Sequence, residues 1–152
     1  MKILFVCLGN ICRSPMAEFV MKDLVKKSGI EELFEIASAA TSCEELGNPV
    51  YPPARQKLAE HGISCKGKVA RRITLQDYAY YDYIIAMDYS NVNNLKRIVG
   101  PDVDHKISML LDYTDHPGEV ADPWYTGNFD DTWNDVLAGC KGLLKQLEKL
   151  IV

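Results

Sequence analysis

Cys7-Leu8-Gly9-Asn10-Ile11-Cys12-Arg13-Ser14, preceded by Ile3-Leu4-Phe5-Val6 and followed by Pro15, is the stretch that decides the fold. The apolar run before it reads as a parallel strand buried on both faces. Pro15 suits the first turn of a helix. Met16, Val20 and Leu24, with Met21 and Val25, then recur at helical spacing, and Lys26, Lys27 and Gly29 mark the end. What lies between is a tight strand-to-helix loop. Its N–H groups sit at the positive end of a helix dipole, which is a ready anion site.

The residue types sharpen that reading. Gly9 and Asn10 tolerate the positive φ that curls successive N–H groups into a nest. Leu8 lines its mouth. Arg13 adds a planar fork matched to two oxygens of a phosphate or arsenate. Cys7 falls at the base of the cup, where the N–H groups and Arg13 favour a thiolate and Ser14 adds a hydroxyl donor. A thiolate facing a bound oxyanion is a nucleophile poised for covalent catalysis. Attack on a phosphate monoester expels an oxyanion that needs a proton, and a later water needs a base; one carboxyl group can serve both steps. Asp122 is the candidate, in a long Pro-containing loop ahead of Trp124 and Tyr125, two rings suited to wall a slot for a phenyl group. Taken alone, Asp122-Pro123 reads equally well as a turn with exposed aromatics.

Cys-x5-Arg-Ser at the first strand–helix junction, with Asp122-Pro123-Trp124-Tyr125 downstream, resembles the low-molecular-weight protein tyrosine phosphatase family over nearly the whole chain. The resemblance implies catalysis by Cys7, Arg13 and Asp122 through a phosphocysteine intermediate. Phosphotyrosine proteins or peptides are then the partners, and inorganic phosphate is product and inhibitor. It places Ile11 against the substrate, where relatives that prefer phosphoarginine tend to carry Thr. It also implies a reversible disulfide between Cys7 and Cys12. Asn10, Ser14 and Ser38 are expected to hold the loop by hydrogen bonds. Two positions depart from the family pattern. Lys68, before Ala70-Arg71, stands near a common His, and Glu44 near a common aromatic of the substrate slot.

The remaining chain fits an α/β fold. Phe34–Thr41, Tyr83–Met87 and Ile107–Leu111 read as strands, and Ser42–Pro53 as a loop. Helices are expected from about Ala54 to His61, from a Thr74 cap through Tyr80, and after Asp88 and Ser90, which read as caps; Asp88, after a buried strand, is also placed to orient Arg13. A long loop covers Asp112–Asn128. A last helix runs from about Asp131 to Leu150, with Trp133, Val136, Leu137, Cys140, Leu144, Leu147 and Ile151 as its apolar face. Strands alternating with helices predict a four-stranded parallel doubly wound sheet with helices on both faces and the anion loop after the first strand.

At 152 residues the chain is expected to be one domain, 1–152. A net charge of −4 argues against general nucleic-acid binding, and no apolar run is long enough for a membrane span. Five cysteines without secretory features suit a reducing cytoplasm. No Cys or His spacing suits zinc, so neither metal nor cofactor is expected. Arsenate reduction on this fold needs relay cysteines, and Tyr83–Gly100 has none. A protein arginine phosphatase would use the same cup and the same nucleophile. A non-catalytic phosphate-binding module would be supported by loss of the nucleophile, the arginine or the acid, and none is lost. The oligomeric state is not written in the sequence.

Overall fold

The computed structural model describes residues 1–151. Four strands, β1 (Lys2–Cys7), β2 (Glu35–Ala40), β3 (Tyr83–Ala86) and β4 (Ile107–Met109), form a parallel sheet in the order β2-β1-β3-β4. The chain passes from β1 to one neighbour, then returns to the other side of β1. The carboxyl end of β1 is therefore the switch point at which such sheets bind ligands.

Alternate residues of the central strands feed two cores. Ile3, Phe5 and Ile85 face α1 (Arg13–Lys27), α2 (Pro52–Glu60) and α6 (Phe129–Ile151). Leu4, Val6, Ile84 and Ala86 face the opposite way, against Tyr78 of α3 (Leu75–Tyr80) and Leu95 and Val99 of α4 (Tyr89–Val99). Burial on both faces explains why these strands are continuously apolar rather than alternating. The caps at Thr74 and Asp88 are both present as capping boxes, with Asp77 and Asn91 respectively.

Several boundaries differ from expectation. The second helix begins at Pro52 rather than Ala54, because its first turn has no use for the N–H groups that Pro52 and Pro53 lack. Strand β4 stops at Met109, whose N–H bonds Asp112 Oδ2 at 2.9 Å and turns the chain into a 3-10 turn over Leu110–Tyr113. The long loop contains a one-turn helix, α5 (Pro123–Thr126), capped by Asp122. The last helix starts at Phe129. Its buried face includes Leu143 and Gly139, whereas Ile151 is 36% exposed and no part of the core.

Two glycines inside α6 carry structural meaning, since each costs about 1 kcal/mol against alanine in a helix. A Cβ at Gly139 would lie 2.4 Å from Leu110 Cγ, and one at Gly142 only 2.0 Å from the Tyr113 carbonyl oxygen. The helix thus presses directly on the 3-10 turn. Among the described residues no helix is long and apolar enough to cross a membrane, and no cluster of His, Cys, Asp and Glu suits a metal ion.

Candidate active site

The residues between β1 and α1 curl into a cup. Asn10, at φ 59°, is the left-handed residue there; Gly9 is not, contrary to the expectation that both share this role. Asparagine is among the few side chains that tolerate this backbone. Neighbouring segments pin the loop: Thr41 N–H donates to Cys7 O at 3.0 Å, Ser42 N–H to Leu8 O at 3.0 Å, and Tyr51 N–H to Ile11 O at 2.9 Å. Cys12, at the N-cap of α1, gives the helix no side-chain cap. The first-turn N–H groups are left for whatever occupies the cup.

Cys7 is 4% exposed at the floor. Its Sγ accepts from Asn10 N–H at 3.3 Å and lies 3.0 Å from Ser14 Oγ. Arg13 is as deeply buried. It donates from NH1 to Asp88 Oδ2 at 2.8 Å and Val120 O at 3.1 Å, and from NH2 to Asp122 Oδ2 at 3.3 Å. Burial alone would lower the guanidinium. The charge on Cys7, the hydrogen bond to Asp88 and the charge of Asp122 outweigh it and raise it above its ordinary value. The Cys12 thiol is pushed up to about 12, first by burial and then by the charges of Cys7 and Asp122. Cys12 is therefore kept as a thiol.

Behind the cup, Asn10 Nδ2 donates to Ser14 Oγ at 2.8 Å and to Ser38 Oγ at 2.9 Å. Arg71 N–H donates to Asn10 Oδ1 at 3.2 Å. Lys68 donates from Nζ to Ser38 O at 2.9 Å. In front, Leu8 and Ile11 line the cavity with Glu44 and Glu45 on one side and Asp122, Trp124 and Tyr125 on the other. Trp124 is braced by Tyr51, with ring centroids 5.2 Å apart, while Tyr125 is 79% exposed. A sulfur at the floor of an N–H cup, a guanidinium beside it and a carboxyl at the rim can together attack a phosphoryl ester and protonate what leaves.

The family model for low molecular weight phosphotyrosine protein phosphatases matches residues 2–151. The chain belongs to this family. It is 42% identical over 149 residues to the low molecular weight protein-tyrosine-phosphatase YfkJ of Bacillus subtilis, covering 97% of this chain and 96% of that protein. The crystal structure of YfkJ superposes with a TM-score of 0.95, covering 98% of this phosphatase chain and 95% of that one, at 41% identity. The low molecular weight protein tyrosine phosphatase SP-PTP of Streptococcus pyogenes gives 0.87 at 43% identity, covering 96% and 92%. DARP, a drosophila arginine phosphatase, gives 0.87 at 32% identity, covering 97% and 98%. The family consists of hydrolases that use a cysteine nucleophile, and the four-stranded parallel sheet is the fold of these structures.

Three residues at this phosphatase site take places that the sequence does not announce, and a fourth takes both of the places open to it. The fourth is Asp88, which the sequence offers as a cap or as a residue that orients Arg13; here Oδ1 caps α4 while Oδ2 pairs with Arg13. Glu18 lies buried behind the cup, accepting from Ser38 Oγ at 2.6 Å. Its spacing of four residues from Ser14, one helical turn on the same face, is the available signal. Glu45 comes over Gly9, its Cγ 3.4 Å from where a Cβ would stand. Tyr51 has no signal, since its stacking depends on where α5 lands.

Proposed function

We propose that this chain hydrolyses phosphotyrosine on proteins, with Cys7 as nucleophile, Arg13 and the N–H cup as the phosphoryl clamp, and Asp122 as proton donor and then acceptor. One observation carries the reading: Cys7 Sγ, the Arg13 fork and Asp122 open into a single cavity whose outer wall is Trp124 and Tyr125. The Cys7 thiolate attacks phosphorus, and the phosphorus–oxygen bond to the tyrosine ring breaks. Asp122, held by accepting from Trp124 N–H at 3.0 Å, gives its proton to the departing oxygen. An entering phosphoryl oxygen takes over the Arg13 NH2 contact that Asp122 now makes. In the second step Asp122 takes a proton from water, hydroxide attacks phosphorus, and the sulfur–phosphorus bond breaks to release phosphate. Leu8, Gly9, Asn10, Ile11, Cys12 and Ser14 shape the clamp, with Ser38 behind it.

No cofactor enters these steps. The product, inorganic phosphate, fits the same cup and so inhibits. Under peroxide, a Cys7 sulfenic acid and the Cys12 thiol can condense to a disulfide with loss of water, which spares Cys7 from further oxidation. All five cysteines are free, as suits a cytoplasmic protein.

Phosphoarginine hydrolysis is the second reading, favoured by the likeness to DARP, which indicates that the fold alone does not choose the substrate. Against it, Ile11 lines the cavity as an apolar wall. Phosphate release from phosphotyrosine, phosphoserine and phosphoarginine peptides tests the choice. Phosphotyrosine is expected to turn over fastest; faster release from phosphoarginine would keep the steps and overturn the substrate. Asp122→Asn is expected to lower kcat/KM, which reports the first step alone, by about 10²-fold for phenyl phosphate. The loss should shrink for a nitrophenyl ester, whose oxygen leaves without help; an equal loss on both esters would deny Asp122 the role of acid.

A further inference from the structure

Behind the phosphate cup lies a buried charge that the proposed steps do not use. Glu18 is 4% exposed, on the face of α1 one turn beyond Ser14. A buried carboxylate needs partners, and this one has them. Lys22 Nζ donates to Oε2 at 2.6 Å, Ser38 Oγ donates to Oε1 at 2.6 Å, and Lys68 Nζ lies 3.5 Å from Oε1.

The network between Glu18 and Cys7 contains few hydrogens, and both ends fix where they point. A carboxylate can only accept, so the one hydroxyl hydrogen of Ser38 goes to Glu18. Ser38 Oγ is thereby left as an acceptor for Asn10 Nδ2. A backbone N–H can only donate, so Arg71 N–H holds Asn10 Oδ1 and fixes the amide the same way round. The other Nδ2 hydrogen goes to Ser14 Oγ. Ser14 then has its own hydrogen free, and Cys7 Sγ, 3.0 Å away, is the acceptor it faces.

We propose that Glu18 is a positioning residue for the Cys7 nucleophile: through Ser38 and Asn10 it holds the Ser14 hydroxyl as a donor to sulfur. The proposal rests on the reading of Cys7 as nucleophile. Glu18 touches neither substrate nor Cys7; it fixes the Ser38 hydroxyl, and with Arg71 N–H this directs the Asn10 amide and so the Ser14 hydroxyl. Hydrogen bonds to a charged group are about twice as strong as neutral ones, and the linked bonds polarise one another. Lys68 serves the same end from the other side, tying Ser38 O and approaching Glu18.

The experiment is alkylation of Cys7 by iodoacetamide at pH 6 in the full chain, followed on the Cys7 peptide by mass spectrometry because Cys43 is exposed and would also react. Glu18→Met removes the acceptor and the charge at similar volume. It is expected to slow Cys7 alkylation about tenfold, the effect of losing one hydrogen bond to the attacking sulfur. Ser14→Ala should slow it at least as much. The double variant should be no slower than Ser14→Ala alone, within about twofold, because both act through one hydrogen bond. Ser38→Ala, which cuts the relay in the middle, should match Glu18→Met and stands in for it if that variant does not fold. Unchanged alkylation in Glu18→Met or Ser38→Ala, or effects that multiply with Ser14→Ala, would overturn the proposal. A wild-type Cys7 no more reactive than Cys43 would instead remove the nucleophile reading beneath it.

Discussion

Cys7→Ser is expected to lower phosphotyrosine turnover by at least about 10⁴-fold. The hydroxyl stays protonated where a thiolate is wanted, and a serine oxygen cannot replace the sulfur as attacking atom. The rest of the cup is untouched. Asn10 N–H still points inward, and Arg13 remains held by Asp88 and Val120. Phosphotyrosine peptide should therefore still bind, as calorimetry would show. Loss of binding together with turnover would mean that Cys7 shapes the loop rather than performs the chemistry. Turnover within a hundredfold of wild type would place the nucleophile elsewhere.

The second large effect is expected at Arg13. Arg13→Ala should lower kcat/KM by at least about 10³-fold, since the fork supplies two donors to the oxygens on which charge gathers. It should also destabilise the fold by roughly 3 kcal/mol, because it leaves Asp88 and Asp122 facing each other without their shared cation. Urea denaturation measures the second effect and steady-state kinetics the first. Arg13→Lys separates them: it restores charge between the carboxylates but not the planar fork. Stability should largely return while the rate stays at least about tenfold down. Full recovery of rate by lysine would reduce the role of Arg13 to a point charge.

The strand, cup and first helix are legible in the sequence because each rests on local chemistry. Ile3–Val6 is apolar on both faces, Asn10 accepts a left-handed backbone, and Pro15 starts a helix. Asp122 is legible less directly; an Asp-Pro turn is common, and the family pattern makes it a candidate. The hidden parts are those that only tertiary order brings together. Asp88 lies 75 residues from Arg13, and they meet because β3 sits beside β1 with both carboxyl ends at one edge. A cap occupies one carboxylate oxygen, and the position of Asp88 after a buried strand offers Arg13 as partner for the other without fixing it. Glu18 looks like an ordinary helix charge until Ser38 of β2 and Lys68 reach it. The end of β4 is hidden for the opposite reason. The apolar run continues through Leu111, but Asp112 folds back on Met109 N–H and stops the strand.

The central claim is that phosphorus passes through a bond to Cys7. Asp122→Asn mixed with nitrophenyl phosphate and quenched in acid within a few turnovers should trap it, because the first step needs little proton donation and the second lacks its base. Fragmentation of the peptide spanning Ile3–Arg13 is predicted to place one phosphoryl group on Cys7. Turnover without a phosphorylated peptide, or a phosphoryl group found on Cys12 or any other residue, would contradict the account.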